Sequence, residues 1–375
     1  MNPEKYQDLQ ISPRVLLGPG PSMVDARVLN AMATPVVGHL DPEYLQVMDD
    51  LQDLLRDTFQ TRNEVTLTIS GTGSAGMEAA VCNFVEPGDK VLLAVIGYFG
   101  ERIGEMAERY GAQVDRIHRP WGEAFDPAEI ETALAKDKYT MLAMVHGETS
   151  TGVEQTEIRA MADAAHKHGA LFLLDTVASL GGVRVAVDQW EVDICYSGSQ
   201  KALSAPPGLA PITISPRAWE QLQGRKSKVT SWYLDLKMLM DYWGAPRNYH
   251  HTAPVNLNYA MREALRITAE EGLEARVTRH LENAKMLWEG LENLDFPLLV
   301  PEERRLATLT TPQIRAGMDE AKIRTRLRDA YNIEIAGGFG PLAGKVWRIG
   351  LMGFSSSKEN VRLLLEALED LLKEQ

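Results

Sequence analysis

The stretch "YTMLAMVHGETSTGVEQTEIRAMADAAHKHGALFLLDT" (139–176) reads as strand, helical pattern, strand. Its flanking runs, "YTMLAMVHG" (139–147) and "ALFLLDT" (170–176), are largely apolar, as strands covered on both faces must be. The segment between them, "EQTEIRAMADAAHKHG" (154–169), has a helical pattern. The unit recurs outward along the chain: "EVTLTIS" (64–70), "KVLLAVIG" (90–97) and "VDICYSG" (192–198) are strand-like, and "SAGMEAAVCNFV" (74–85) is helical. Such alternation predicts an α/β domain built on a mostly parallel sheet.

Beyond about residue 255 the pattern changes. Long helices fill 257–294, then "RLATLTTPQI" (305–314), a helix near 318–330, strands near 332–336 and 345–350, and a closing helix from about 358. This reads as a smaller α+β domain, and 375 residues exceed what one small core organises. The expected division is an N-terminal arm over 1–22, a large domain over 23–256 and a small domain over 257–375. The arm, with "LLGPGPSMV" (16–24), is too irregular for a core element and is expected to lie across the surface.

A hydrophobic content of 45% with 24% charged residues is that of a soluble globular chain. The net charge of −13 argues against nucleic acid or an anionic membrane as partner, so any anionic ligand must be drawn in by a few placed groups. The two cysteines, Cys82 and Cys195, have no CxxC spacing, which disfavours zinc and disulfides and fits a reducing compartment. "MNPEKYQDLQISPRVLL" (1–17) holds no long apolar run, and no stretch is long enough to span a bilayer. A cytoplasmic protein is expected.

In open α/β sheets, ligands sit beyond the carboxyl ends of the strands. "SGTGSAGMEAA" (70–80) follows a strand and opens a helix there, which makes it a phosphate cradle or a flexible turn; Thr72 and Ser74 add hydroxyls. Asp175 closes an apolar strand, where its carboxylate needs a cationic or N–H partner or else caps the next turn. Lys201 lies in "SGSQKALSAPPG" (197–208), past a further strand, where burial disfavours the ammonium as a Schiff-base lysine requires. Phe99 in "IGYFGER" (96–102) can lie flat on a planar ring or fill the core. Ser150 in "HGETSTGV" (146–153) reaches a ring hydroxyl or caps a helix. Arg348 in "GKVWRIGLMG" (344–353) wants a carboxylate, from substrate or from a structural Asp or Glu. One ligand satisfies all of these: pyridoxal 5′-phosphate, with its phosphate, planar ring, protonatable nitrogen and aldehyde.

These stretches, with "FQTRN" (59–63), "EPGD" (86–89), "LLDTVASLGG" (173–182), "WYLD" (232–235) and "YHHTAPV" (249–255), resemble the class V, fold type I aminotransferases, within them the alanine–glyoxylate/serine–pyruvate group. The resemblance implies that Lys201 forms an imine with the cofactor and that Asp175 pairs with the ring nitrogen. It places the phosphate on Thr72, Gly73, Ser74 and Gln200, the ring on Ser150 and Val177, and the substrate carboxylate on Arg348. The ring-stacking position, often Trp in this group, is Phe99 here. Tyr249 and Thr252 are implied to reach the phosphate of a neighbouring subunit, hence a homodimer with shared active sites.

The reaction then expected is transamination between a small L-amino acid, alanine or serine, and a 2-oxo acid, glyoxylate or pyruvate. Serine–glyoxylate exchange is the nearest rival as main activity. No second cation is identified for a dicarboxylic donor. Gly38 and His39 of "VVGHLDP" (36–42) are candidates to line the pocket, His39 equally an ordinary packed histidine. A cysteine desulfurase-like lyase would need a thiol on a mobile loop, but Cys82 falls in a helical pattern and Cys195 in a strand.

Overall fold

The computed structural model describes residues 8–374, so positions 1–7 of the expected arm lie outside the described residues. A seven-stranded sheet organises the chain: β1 (Val65–Ser70), β2 (Lys90–Val95), β3 (Gln113–His118), β4 (Met141–Val145), β5 (Leu171–Asp175), β6 (Ile194–Tyr196) and β7 (Leu209–Ile214). Their spatial order is β1-β7-β6-β5-β4-β2-β3. Every pairing is parallel except those of β7, which runs antiparallel to both neighbours.

Two of these strands are absent from the sequence reading. β3, "QVDRIH", is a half-exposed edge strand and lacks the apolar run that marks its neighbours. β7, "LAPITI", carries Pro211 in its interior, a residue that ordinarily argues against a central strand. The carbonyl of Pro211 still accepts from Ser197 N–H at 2.8 Å, so the ladder loses only one donor.

Helices cover both faces, as completely buried strands require. Among them are α1 (Pro42–Phe59), α2 (Gly73–Phe84), α3 (Tyr98–Arg109), α4 (Ile158–Lys167) and α5 (Val255–Glu271). α1 starts where the Asp41 carboxylate accepts from Glu43 N–H, with Pro42 in its first turn, and buries Tyr44, Met48, Leu51 and Leu55. The largest apolar cluster joins the sheet to these helices and includes Ala260, Met261, Ala264 and Leu265 of α5.

A second apolar cluster gathers Leu287 and Leu291 of α6 (Leu273–Asn293), Leu327 of α7 (Glu320–Tyr331), Trp347 and Ile349, and Leu364 and Leu368 of α8 (Lys358–Lys373). A three-stranded antiparallel sheet of Leu309–Thr310, Trp347–Gly350 and Ala336–Gly337 belongs to this region. Here the chain start departs from expectation. Val15–Leu16 pairs in parallel with Ile333–Glu334, and Leu17 is fully buried in the second cluster. The pairing seats Leu17 fully and Val15 partly in that core, so this part of the arm is a structural element and not a surface crossing. Among the described residues no helix is long and apolar enough to cross a membrane.

Candidate active site

The carboxyl ends of β1, β2, β4, β5 and β6 converge on one cavity with about 630 Å³ of empty space, part of it open to solvent. The cavity is faced by Thr72, Gly73 and Ser74 from the β1–α2 turn, Phe99 from α3, Asp175 and Val177 from the end of β5, and Gln200 and Lys201 from beyond β6. Eight of the expected residues, far apart in sequence, thus share one wall system.

Lys201 is held by the arm. Its Nζ donates to the Pro19 carbonyl, Ser22 N–H donates to Gln200 O at 2.8 Å, and Ser22 Oγ donates to Lys201 O at 2.8 Å. Burial pushes the ammonium down to about 8, against the favourable charge of Asp175, and the charge of Arg348 lowers it further. The stem of the lysine lies so close to Gly20 that a Cβ there would stand 2.7 Å from Lys201 Cδ and 2.9 Å from Nζ, at a φ of +106° that side chains rarely adopt. Gly20→Ala is therefore expected to destabilise the fold by about 1–3 kcal/mol, the cost of backbone strain of this kind, and to lower turnover by displacing the lysine it crowds. Turnover measured beside thermal unfolding checks this; a variant with parental turnover would show that the lysine yields its place freely.

Asp175 is 2% exposed. One carboxylate oxygen accepts from Val177 N–H at 2.8 Å and the other from Tyr196 Oη at 2.6 Å. Burial lifts the carboxyl to about 6 in spite of these two donors. Tyr196, paired with Asp175 in the β5–β6 register, is a site residue that the sequence reading missed; its place beside the carboxylate follows only from strand order.

The anion cradle is α2's first turn. Thr72 sits at the N-cap yet its hydroxyl makes no capping bond, which leaves it for a ligand. Arg102, also missed, donates from Nη1 to Ser74 Oγ at 3.1 Å, and its guanidinium lies 4.9 Å from the Phe99 ring. The signal was available: Arg102 follows Phe99 by three helical positions and shares its face. Among the described residues, buried Gln200 Oε1 has no hydrogen-bond partner.

Ser150, expected against a ring, is instead fully enclosed. Its hydroxyl donates to Glu148 Oε1 at 2.7 Å and accepts from Tyr98 N–H at 3.0 Å, while Phe99 N–H donates to Glu148 Oε2 at 3.0 Å. These two side chains satisfy the start of α3, whose N-cap is Gly97. A Cβ on Gly97 would stand 2.4 Å from both of them. From this turn it is Thr149 that faces the cavity. Burial pushes the Glu148 carboxyl up to about 7 against the Ser150 donors.

Arg348 donates from Nε to Gly337 O at 2.8 Å and lies with its guanidinium 4.4 Å from the Phe339 ring. Among the described residues it forms no ion pair, so a structural Asp or Glu is not its partner. Burial lowers its basicity to about 10, opposed by the charge of Glu148. Gly38, His39, Tyr249, Thr252 and Arg348 are not among the residues that face this cavity, although Arg348 is close enough for its charge to lower the basicity of Lys201. Tyr249 is 58% exposed, with its ring 4.8 Å from that of His39.

The chain matches the family Aminotransferase class-V over residues 15–364. It is 42% identical over 369 residues to an alanine–glyoxylate aminotransferase of Drosophila melanogaster, covering 97% of this chain and 94% of that one. To the (S)-ureidoglycine–glyoxylate transaminase of Bacillus subtilis it is 41% identical, covering 96% and 90%. The crystal structure of alanine–glyoxylate aminotransferase from Nostoc sp. superposes with a TM-score of 0.97 at 51% identity, covering 99% of both chains. The fold is that of the type I transaminases, and the chain belongs to the class-V aminotransferases.

Proposed function

We propose that the chain is a pyridoxal 5′-phosphate-dependent aminotransferase that exchanges the amino group of alanine or serine with a 2-oxo acid, glyoxylate first and pyruvate second. The observation that carries this is the meeting of Lys201, Asp175 and the 72–74 cradle in one cavity. Relatives named for alanine and for (S)-ureidoglycine share glyoxylate as the second substrate, which supports that acceptor.

The residues present fit the cofactor. The free Thr72 hydroxyl, the α2 N-terminus and the Arg102–Ser74 pair suit a phosphate dianion, and Gln200, which faces the same cavity, has an amide NH2 to donate to it. Phe99 and Val177 offer apolar faces to a ring. When bound, the cofactor supplies an aldehyde that takes the amino group and a ring that accepts the electrons left at the substrate's Cα. Asp175 holds a proton at the ring nitrogen, as its burial and two fixed donors orient it to do. Lys201 Nζ, with basicity already lowered, would take the proton from the substrate's Cα and pass it to the carbon that carried the cofactor's aldehyde, as transfer of the amino group requires. Arg348 takes the substrate carboxylate. A desulfurase-like lyase is disfavoured, since both thiols are buried and pushed up to about 12 by burial.

The expected arm, large and small regions (1–22, 23–256, 257–375) serve in this proposal to bring Arg348 over the cradle. Tyr249 and Thr252 are assigned to a partner copy's phosphate. Supporting this, Trp232, Tyr233 and Tyr249 are exposed together, and Tyr233 Oη reaches Ser70 O, at the end of β1 beside the cradle, at 3.4 Å. A monomer in sedimentation analysis would remove the shared-site assignment. A cytoplasmic location is proposed on the acidic charge and the two free thiols, with cell fractionation as its check.

The test is a half-reaction panel of alanine, serine, glutamate and aspartate, followed as loss of the cofactor's visible absorbance. Alanine and serine are expected to bleach it fastest. Bleaching by glutamate or aspartate alone would overturn the small-donor assignment.

A further inference from the structure

Two arginines flank the site from different parts of the fold, Arg102 lining the cavity and Arg348 close enough for its charge to act on Lys201, and an aromatic row joins them. The Arg102 guanidinium lies 5.2 Å from the Tyr98 ring, Tyr98 meets the Phe339 ring edge-on at 4.9 Å and 86°, and Arg348 lies 4.4 Å over Phe339. Both ends of the row are anchored. Tyr98 N–H is tied to Ser150 Oγ in the first turn of α3. Phe339 follows strand Ala336–Gly337, and its neighbour Gly340 lies so close to Trp121 that a Cβ would stand 3.1 Å from that ring. Arg348 spends its Nε on Gly337 O, while its two terminal nitrogens have no partner among the described residues.

We propose that Phe339, braced by Tyr98, is a positioning residue for the substrate carboxylate, holding the Arg348 guanidinium flat with its terminal nitrogens free for a bidentate contact. This rests on the assignment of Arg348 as the carboxylate anchor. A guanidinium is weakly hydrated and stacks well on a ring face. Stacked in advance, it surrenders little side-chain freedom when the carboxylate arrives, so the ring contributes to affinity without touching substrate. The effect belongs to binding and is felt equally by amino acid and oxo acid, which share the carboxylate.

Phe339→Leu keeps apolar bulk and removes the ring face. In the cofactor-loaded enzyme it is expected to raise KM for alanine and for glyoxylate roughly three- to tenfold, the range of a partly desolvated cation–π contact, with kcat nearly unchanged. Propionate, which carries the carboxylate without an amine, should bind more weakly by a similar factor, read from the perturbation of cofactor absorbance. Cofactor affinity and the thermal midpoint should stay at parental values. Arg348→Gln is the control. If it leaves KM and propionate binding untouched, the anchor assignment fails and this inference with it. If Arg348→Gln weakens both and Phe339→Leu neither, only the role of Phe339 is overturned. A Phe339→Leu protein whose thermal midpoint and cofactor affinity fall as KM rises would show general loosening and overturn it as well.

Discussion

Lys201→Ala removes turnover while leaving a folded protein that still takes up the cofactor. Loss of the proton-transferring amine alone is expected to cost roughly 10²–10⁴-fold, and loss of covalent attachment adds to it. Borohydride treatment followed by denaturation should leave cofactor on the parental chain and none on the variant. Turnover within tenfold of the parent would take this amine out of the reaction. The variant should not be the less stable protein, because the buried ammonium is held against its solvation. The folded protein lowers this group from 10.5 to about 8, so below pH 8 the unfolded chain is charged without cost while the folded one carries a buried charge. In cofactor-free protein the penalty is full below pH 8 and fades between about 8 and 10.5. Urea unfolding should accordingly find Lys201→Ala more stable than the parent at pH 7, with the gap narrowing as pH rises through that window.

What was legible in the sequence follows from what burial writes into it. β2, β4 and β5 are covered on both faces and their apolar runs are unmistakable; the residues that close them or follow them stand at one edge by the geometry of parallel connections. Lys201, Asp175 and the 72–74 turn were recoverable on that ground. Where the period carries no signal the reading failed, as at half-exposed β3 and at β7 with its interior Pro211. Residues whose role depends on strand order were out of reach. Tyr196 becomes a partner of Asp175 only because β6 lies beside β5, and Glu148 becomes a cap of α3 only because β4 lies beside β2. Phe339 matters through a contact with Tyr98 that spans 241 positions, which no local pattern announces (339 − 98). The "GPGPS" stretch (18–22) misled for a different reason: its prolines and glycines suggest an exposed crossing, whereas here they let the backbone wrap a lysine.

Asp175→Asn tests the electrostatic half of the site. The asparagine can keep its oxygen on Val177 N–H and turn its amide toward Tyr196, whose hydroxyl can accept instead of donate, so both buried partners stay satisfied. The fold should survive, with a thermal midpoint near the parent's. What disappears is the negative charge that the proposed function assigns to the ring nitrogen. An opposite charge at this range shifts a protonation equilibrium by about 1–3 pKa units, so turnover is expected to fall roughly 10- to 10³-fold. The same charge now raises the basicity of Lys201, and its removal should lower that group further below about 8. Tyr196→Phe provides the contrast. It deletes one hydrogen bond to a buried carboxylate, worth about 1.5–3 kcal/mol, but leaves the charge, so its effect on turnover should be smaller than that of Asp175→Asn. An Asp175→Asn enzyme that turns over like the parent while Tyr196→Phe does not would move the essential group from the carboxylate to the phenol, and the ring-protonating role of Asp175 would have to be abandoned.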